Sequence, residues 1–326
     1  MYYTLPRRFF ASDKTKSKRK GLVMELGTST CLFAHRRKQS ATPPYIEQVR
    51  MCADAGFKVI DMNFCSAPAK NSGADLAADD WEKRIYDLKN EGEKLGVKFT
   101  QSHAPFNAKI FTKGLQPTPE YMEVFNEMTR RSIIASGMLG IKWMVFHALN
   151  DTINTEYDME VTKQTNLEYF SWQLELCKKH GVGMAIENMF NVDPKVYKRY
   201  YCASLDDQIN LIDAFKDESV GACWDFGHSS QILNDQCRAL RRLGKRLKAT
   251  HVQDNKGNCD AHLIPFVGGN IKWEEIMPCL KEIGYEGDFV YEVHNFMNYM
   301  PDALRPSAAK LAYDFGMYCM KLYDEA

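Results

Sequence analysis

Short apolar runs alternate with longer amphipathic stretches along the chain. The apolar runs have the length and composition of buried parallel strands, and the amphipathic stretches have the helical spacing of apolar residues. Glycine directly follows most of the amphipathic stretches, which is typical of a helix C-terminus. The predicted strands cover residues 22–26, 57–62, 97–102, 141–146, 182–186, 220–224, 247–250 and 289–291. The predicted helices cover about residues 46–55, 79–95, 119–139, 161–180, 205–215, 229–243, 273–283 and 306–323.

This alternation makes eight strand–helix units. A spacing of about 30–45 residues is typical of βαβ crossovers, and eight such units predict an α/β fold, a single closed (β/α)8 barrel. We therefore expect one barrel domain at residues 22–326, preceded by an N-terminal extension at residues 1–21. An open doubly wound sheet is the alternative, but no glycine-rich dinucleotide fingerprint follows the first predicted strand.

Composition and charge disfavour several classes of protein. Acidic and basic residues balance at 42 each, so no overall positive field exists to hold a polyanion, and nucleic-acid binding is disfavoured. No apolar run reaches the roughly 18 residues of a membrane span, and the first residues carry no long apolar secretory signal. The ten cysteines are scattered without a CxxC pair, which indicates buried thiols in a reducing cytoplasm.

Histidine or a carboxylate ends six consecutive predicted strands, the third to the eighth. In a (β/α)8 barrel the carboxyl ends of the strands form one rim, and active sites lie there. His228 lies one helical turn after Asp225, and Asp260 and His262 lie in the loop after the seventh strand, so we expect all of them in the same basin. The six strand-end residues are His103, His147, Glu187, Asp225, His251 and Glu292.

A single residue of this kind has a simpler explanation. A carboxylate at a strand end more often caps the next helix, and a single histidine more often has a structural role. Six in succession favour a shared site instead. Three carboxylates at one rim would repel each other without a counter-ion, and a divalent cation removes that repulsion. Carboxylates with an imidazole are mixed oxygen and nitrogen ligands, which suit Mn²⁺, Co²⁺, Mg²⁺ or Zn²⁺.

Five short motifs at the strand ends carry a resemblance to a known family. They are Ile186-Glu187-Asn188, Trp224-Asp225-Phe226-Gly227-His228, His251-Val252-Gln253-Asp254-Asn255, Asp260-Ala261-His262 and Tyr291-Glu292. Over about residues 22–324 the chain resembles the xylose-isomerase-like barrel superfamily, which includes sugar isomerases, ketose 3-epimerases, inosose dehydratases and endonuclease IV. The epimerase-like members hold one metal ion, with Mn²⁺ the expected ion here. The ligands that this resemblance implies are Glu187, Asp225, His251 and Glu292.

The resemblance also implies a reaction. In the resembling epimerases the two metal-bound Glu residues exchange a proton with the substrate from opposite sides, which implies this role for Glu187 and Glu292. We expect proton abstraction next to a metal-bound carbonyl of a sugar or sugar derivative, as in a sugar isomerase or epimerase of carbohydrate metabolism. His147 is a further candidate base. The expected substrate-binding residues are His103, His228, Asp260, His262 and Asn188.

The sequence departs from the ketose epimerases in two loops. Glu187 is followed by Asn-Met-Phe-Asn-Val, where those enzymes carry Pro and then Arg, and the loop after the seventh strand has no matching Arg. A free ketohexose is therefore not the expected substrate. Apolar residues after the fifth and eighth strands either pack the rim loops or form a wall for a bulky substituent on the sugar. They are Met189, Phe190, Phe296, Met297, Tyr299 and Met300.

Other functions stay open. The apolar cluster also resembles the barrel subunit of bacterial C-glycoside deglycosidases, lyases in which His147 would remove the C2 proton of a 3-oxo-glycoside and the aglycone would leave from C1. Such a lyase implies a small second subunit, which residues 1–21 could dock, and a homo-oligomer is the other expected assembly. Endonuclease IV binds three zinc ions through nine ligands that match the nine rim residues above, but the neutral charge disfavours a DNA substrate. A catalytically silent sugar-binding barrel would need a broken metal site, and all four ligands are present.

Overall fold

The computed structural model of the chain describes residues 24–33, 43–68, 75–106, 117–150, 158–193, 198–233 and 235–326. The predicted extension at residues 1–21 lies outside the described residues, so the domain boundary stays a prediction. The strands are β1 (Leu26–Ser29), β2 (Val59–Asn63), β3 (Lys98–His103), β4 (Trp143–Phe146), β5 (Gly183–Glu187), β6 (Asn191–Asp193), β7 (Lys198–Arg199), β8 (Val220–Asp225), β9 (Leu247–His251) and β10 (Phe289–Tyr291). The α-helices are α1 (Tyr45–Asp54), α2 (Trp81–Leu95), α3 (Pro119–Leu139), α4 (Met159–Lys179), α5 (Leu205–Phe215), α6 (Phe226–Ser230), α7 (Gln236–Leu243), α8 (Trp273–Glu282) and α9 (Arg305–Glu325).

Eight of the described strands form one parallel sheet in the order β10-β1-β2-β3-β4-β5-β8-β9. The sheet closes on itself through a parallel bridge between Val252, just after β9, and Tyr291 of β10. The Val252 amide donates to the Val290 carbonyl at 2.7 Å, and the Glu292 amide donates to the Val252 carbonyl at 3.0 Å. The predicted (β/α)8 barrel is therefore confirmed, and β5, β8, β9 and β10 lie side by side in it.

The first strand differs from its prediction. The sequence predicts a strand at 22–26 and a turn from Gly27, but β1 runs from Leu26 to Ser29. A Cβ on Gly27 would lie 2.9 Å from the Val59 side chain and 3.2 Å from that of Val290. Gly27 is therefore a position where the two neighbouring strands pack closely against β1, and the glycine does not end the strand.

The predicted helix at 229–243 is wrong as a single element. Residues 226–230 form the short helix α6, and α7 begins again at Gln236. Each helix has its own N-cap: the Asp225 side chain accepts from the His228 amide, and the Asp235 side chain accepts from the Arg238 amide. Sequence reasoning also missed the two-stranded antiparallel pair β6–β7, which follows β5.

Other helix ends follow from their sequence signals. Pro119 is the first residue of α3, and the Thr118 hydroxyl accepts from the Tyr121 amide at 3.3 Å. Gly140 ends α3 in a left-handed conformation with a φ of 76°. The predicted bounds of this helix are confirmed to the residue. None of the helices in the described ranges combines the length and apolar composition that a membrane span needs.

Small apolar side chains fill the inside of the barrel below the rim. Val145, Ala185, Cys223 and Ala249 are fully buried and pack together, with Trp143 against them. Each lies two residues before the polar residue at or directly after the end of its strand. Because side chains of a strand alternate between its two faces, those polar residues point to the barrel interior as well. The main apolar core lies between the strands and the surrounding helices.

Candidate metal centre and active site

Four neighbouring strands, β5, β8, β9 and β10, bring three carboxylates and one imidazole together at the carboxyl end of the barrel. Glu187, Asp225 and His251 are the last residues of their strands, and Glu292 directly follows β10. Each offers one ligand atom, and these four atoms lie within 4.8 Å of one another. The four residues are between 0 and 7% exposed. The sequence thus predicted a set of side chains that the fold does place together.

Asn188, directly after β5, links this strand to the end of β8. Its side-chain amide donates to the Asp225 carbonyl at 3.0 Å, and its side-chain oxygen accepts from the Asp225 amide at 2.6 Å. Asn188 is only 3% exposed. Its amide therefore fixes the position of Asp225 relative to Glu187, while the predicted substrate contact of Asn188 stays a prediction.

The basic neighbours of the buried carboxylates are imidazoles. His251 Nδ1 lies 2.9 Å from Glu187 Oε1 and 3.5 Å from Glu292 Oε2. In the described part of the chain, no lysine or arginine forms an ion pair with Glu187, Asp225 or Glu292. Burying three carboxylates without a strong cation is costly. The chemistry of this donor set, three carboxylate groups and one imidazole, therefore fits a divalent cation.

The electrostatics of the cluster show how closely its members are coupled. Burial raises the pKa of Asp225 to about 7, His228 opposes this rise, and the charge of Glu187 adds to it. Burial also acts to raise the pKa of Glu187, but His251 and His147 outweigh it and hold this pKa well below its usual range. The proton affinities of these two carboxylates therefore depend on the imidazoles and carboxylates around them.

Two further histidines contact Glu187 from the neighbouring strands. His147, directly after β4, places Nε2 2.7 Å from Glu187 Oε2, and His103, at the end of β3, places Nε2 3.5 Å from the same oxygen. The His103 Nδ1 hydrogen is donated to the Ala104 carbonyl at 2.7 Å. The His103 ring also stacks on His251 with ring centroids 5.5 Å apart. Burial lowers the pKa of His147, and the charge of Glu187 opposes this only partly.

A third group lies on the other side of the basin. His262 Nε2 lies 2.8 Å from Asp260 Oδ2, and His228 Nε2 lies 3.5 Å from Asp260 Oδ1. His262 donates from Nδ1 to the Glu292 carbonyl at 2.7 Å. His228 donates from Nδ1 to the Asn188 carbonyl at 2.8 Å. The predicted rim residues therefore lie in one connected basin. Within it, His228, Asp260 and His262 form a group of possible metal ligands that is distinct from the group around Glu187.

Sequence reasoning missed four residues of this basin. Gln253 donates to Asp260 Oδ1 at 2.6 Å and to Asp225 Oδ2 at 3.4 Å. Asp61, a carboxylate within the second predicted strand, is fully buried, accepts from Gln101 Nε2 at 2.8 Å and lies 3.9 Å from His251 Nε2. A charged residue inside an otherwise apolar run was the signal for Asp61. The other two are Cys31 and His294, which form a ligand group with Glu292.

The apolar residues that follow β5 and β10 have different positions. Met189 and Met297 are buried, at 4% and 1% exposure, so for these two the packing interpretation holds. Phe190 contacts the His228 ring with centroids 4.8 Å apart. Phe296 and Met300 are partly buried against the core. Phe190 is thus a residue of the predicted wall whose ring contacts a basin residue.

Comparisons with known proteins bear on the family of this chain. The family model for xylose isomerase-like TIM barrels matches residues 49–313. An uncharacterised protein of Sinorhizobium fredii, y4fM, is 26% identical over 168 residues, which cover 51% of this chain and 51% of that protein. The chain spans about half the length of the curated relatives that it matches.

Two solved structures share the fold of this chain. A D-tagatose 3-epimerase-like protein is 19% identical, with a TM-score of 0.68 and coverage of 93% of this chain and 99% of that chain. The 3-keto-D-glucoside 4-epimerase YcjR of E. coli is 15% identical, with a TM-score of 0.64 and coverage of 89% of this chain and 99% of that chain. At these identities the likeness extends to the barrel architecture alone.

Proposed function

Since the chain belongs to the xylose isomerase-like TIM barrel family, we propose that it is a divalent-metal-dependent sugar isomerase or epimerase. Its reaction is the removal of a proton next to a carbonyl of a sugar or sugar derivative. The observation that carries this proposal is the convergence of four buried ligand atoms, from Glu187, Asp225, His251 and Glu292, within 4.8 Å. The sugar epimerases among proteins of the same fold also support it.

The four converging residues would hold the cation, with Mn²⁺ the favoured ion and Co²⁺, Mg²⁺ or Zn²⁺ as alternatives. Such a cation would polarise the sugar carbonyl and so acidify the C–H bond beside it. Asn188 keeps Asp225 in place through its two hydrogen bonds, at 2.6 and 3.0 Å. The ring of His103 stacks on the imidazole of His251 and helps to hold it in position.

Glu187 and Glu292 are the proposed proton-transfer residues. They come from the two ends of the arc β5, β8, β9 and β10, so a sugar bound across this arc meets one carboxylate at each end. One carboxylate accepts the proton from carbon, and the other returns a proton. His147 orients the Glu187 carboxylate through its 2.7 Å contact. His103, His228, Asp260 and His262 are the proposed hydroxyl-binding groups around the same basin.

Proton exchange with solvent tests the proposal directly. The Mn²⁺-loaded protein would be incubated in D₂O with a panel of free sugars and 3-oxo-glycosides, and deuterium at carbon would be followed by NMR. We expect at least one sugar to gain deuterium at the carbon next to its carbonyl. Chelation of the metal should stop this exchange. A complete lack of exchange across the panel, with metal bound and the fold intact, would count against the proposal.

Elimination from a 3-oxo-glycoside is the second candidate reaction. His147 is the specific observation for it, since Nδ1 of this ring has no hydrogen-bond partner in the described part of the chain while Nε2 contacts Glu187. As a base, His147 would take the C2 proton, the C–H electrons would form a C1–C2 double bond, and the aglycone would leave with the C1 bond pair. His147→Ala should abolish aglycone release, whereas epimerisation should only become slower, because there His147 orients Glu187 and is not the base. Aglycone release that persists in folded His147→Ala would reject the lyase.

The assembly, setting and nuclease alternative are also proposals. We infer a homo-oligomer or a complex with a small second subunit. We also infer a reducing, cytoplasmic setting, which is supported by ten cysteines that form no disulfide in the described part of the chain. For a nuclease, three zinc ions per chain would be needed. Eight of the nine rim residues, all except His147, fall into three ligand groups, and the group His228, Asp260 and His262 shares no residue with the other two. The formal net charge of zero supports sugar chemistry over binding of DNA. The number of metal ions bound per chain decides between the two functions: one ion supports the sugar enzyme, and three zinc ions support the nuclease.

A further inference from the structure

A thiol, an imidazole and a carboxylate meet at the edge of the proposed centre. Cys31, Glu292 and His294 each offer one ligand atom, and these three atoms lie within 4.8 Å of one another. The three residues are 3, 7 and 7% exposed. Cys31 and His294 have no part in the proposed sugar chemistry. We propose that Cys31, His294 and Glu292 form a second cation site, selective for a thiophilic ion such as Zn²⁺, which shares Glu292 with the main centre.

Strand register brings the thiol and the imidazole to the same place. β1 and β10 pair in parallel with Thr28 opposite Tyr291. Cys31 lies three residues after Thr28, in the 3₁₀ turn Thr30–Phe33, and His294 lies three residues after Tyr291. Two chain segments that leave neighbouring parallel strands in register emerge side by side. The meeting of these side chains is therefore a consequence of the fold and does not depend on a distant loop.

Neighbouring residues hold the ligands in position. The Cys31 amide donates to the Ser29 hydroxyl at 3.3 Å, which orients the turn. The His294 ring packs on His262 with ring centroids 3.6 Å apart. His262 in turn donates to the Glu292 carbonyl at 2.7 Å. Side chains that are already fixed lose little conformational entropy when they bind an ion.

The donor set differs in kind from that of the main centre. The main centre offers carboxylates and one imidazole, whereas this group replaces two carboxylates with a thiol and therefore suits a softer ion. In a tetrahedral zinc site the ligand atoms are roughly 3.3–3.8 Å apart, so small side-chain rotations would bring the three atoms to binding distance. The thiol releases its proton to solvent on coordination. Water would take the fourth position.

The shared carboxylate gives the second site a consequence for turnover. An ion bound by Cys31 and His294 draws on Glu292, which the proposed reaction needs as a ligand and proton carrier. Zn²⁺ at this site should therefore inhibit the Mn²⁺-loaded enzyme. This consequence rests on the proposed function, whereas binding of the ion by the thiol does not.

Cobalt is a suitable probe for the binding itself, because Co²⁺ bound to a thiolate gives a sulfur-to-metal charge-transfer band in the near ultraviolet. The metal-free protein would be titrated with CoCl₂ alone. We expect this band in the wild type and its loss in Cys31→Ala. In His294→Gln, the Co²⁺ concentration at which the band reaches half of its full intensity should be at least tenfold higher than in the wild type. Cys177→Ala is the matched control, since Cys177 is a buried thiol on α4 away from the rim, and should keep the band.

The outcomes separate this inference from the proposed function. A band that persists in folded Cys31→Ala, or cobalt bound to the wild type without any thiolate band, would overturn the second site alone. Absence of cobalt binding altogether would overturn both the main centre and the second site. In turnover assays, each variant is compared with its own uninhibited rate. The Zn²⁺ concentration that halves this rate should be at least tenfold higher in Cys31→Ala than in Cys177→Ala. Equal inhibition would reject the regulatory consequence. Thermal unfolding of each variant reports whether it is folded.

Discussion

The two ends of the barrel treat charge in opposite ways. At the carboxyl end, Glu187, Asp225 and Glu292 are buried, and their basic neighbours are imidazoles. At the amino end, Lys98 and Glu25 form an ion pair at 2.5 Å with 62 and 45% of their side chains exposed. An exposed pair costs little to form and contributes about 0–1 kcal/mol. A buried cluster of like charge is costly, and it persists in a fold when it has a use.

A cavity by itself does not mark the reactive end of this barrel. The amino end has a cavity of about 740 Å³, lined in part by Lys98, Lys142 and Lys248. Its charged groups face water and find partners there, as in the pair of Lys98 with Glu25. The carboxyl end is marked instead by ligand atoms from separate strands that converge out of reach of water. Converging buried charge is therefore the better guide to the reactive end of this barrel.

The largest effect is expected from the proton-transfer carboxylates. Glu187→Gln and Glu292→Gln should each lower the rate of deuterium exchange by about a thousandfold or more, because each removes a proton carrier and a metal ligand. Rates would be measured by NMR on the Mn²⁺-loaded variants. Glu286→Gln, an exposed carboxamide change at the amino end, is the matched control and should keep the wild-type rate. Near-normal exchange in both rim variants would remove the proposed roles.

Metal-dependent stability should come next. Mn²⁺ at a free concentration of 100 times its Kd should stabilise the wild type by about 2.7 kcal/mol. Asp225→Asn should lose most of this stabilisation, because it removes one of four ligands, while Glu286→Gln should keep it. Thermal unfolding with and without Mn²⁺ gives the difference for each variant. A full wild-type shift in Asp225→Asn at the same free metal concentration would show that Asp225 is not a metal ligand.

A smaller effect is expected at the link between β5 and β8. Asn188→Ala leaves the Asp225 amide and carbonyl without their side-chain partners, which should lower the free energy of unfolding by about 1–3 kcal/mol. Because Asp225 then loses its fixed position, Mn²⁺ affinity should fall as well. Chemical denaturation and metal titration measure the two effects. Loss of stability without any change in metal affinity would show that Asn188 does not position the ligand.

The smallest effect is expected at the amino end. Lys98→Met breaks the exposed pair with Glu25 and should change the free energy of unfolding by no more than about 1 kcal/mol. Exchange activity should stay at the wild-type level. A loss of several kcal/mol, or of activity, would mean that the two ends of the barrel are not as different as their burial indicates.

Much of this architecture was readable from the sequence, because it follows from local signals. The periodic apolar runs predict the eight strands, and polar residues at strand ends predict the rim, as His251 and Glu292 illustrate. The start of β1 was misplaced because Gly27 resembles a turn residue until the neighbouring strands are seen to pack against it. The break between α6 and α7 was missed because apolar residues continue at helical spacing across it. The signal for the break is Asp235, the N-cap of α7.

Residues that were missed depend on pairings between distant segments. The contact of Gln253 with Asp260 depends on the path of one loop. Cys31 and His294 meet only because β1 and β10 are neighbours in register, and the sequence separates them by most of the chain. Single-sequence patterns report which residues end a strand, but not which strand closes the barrel beside another.

The central claim is that one divalent cation is held by the four strand-end side chains. A crystal structure of the Mn²⁺-soaked protein, with anomalous scattering recorded near the manganese edge, tests this claim most directly. We expect a strong anomalous peak about 2.0–2.4 Å from ligand atoms of Glu187, Asp225, His251 and Glu292. A fully occupied peak elsewhere, or no peak at these residues at saturating Mn²⁺, would contradict it.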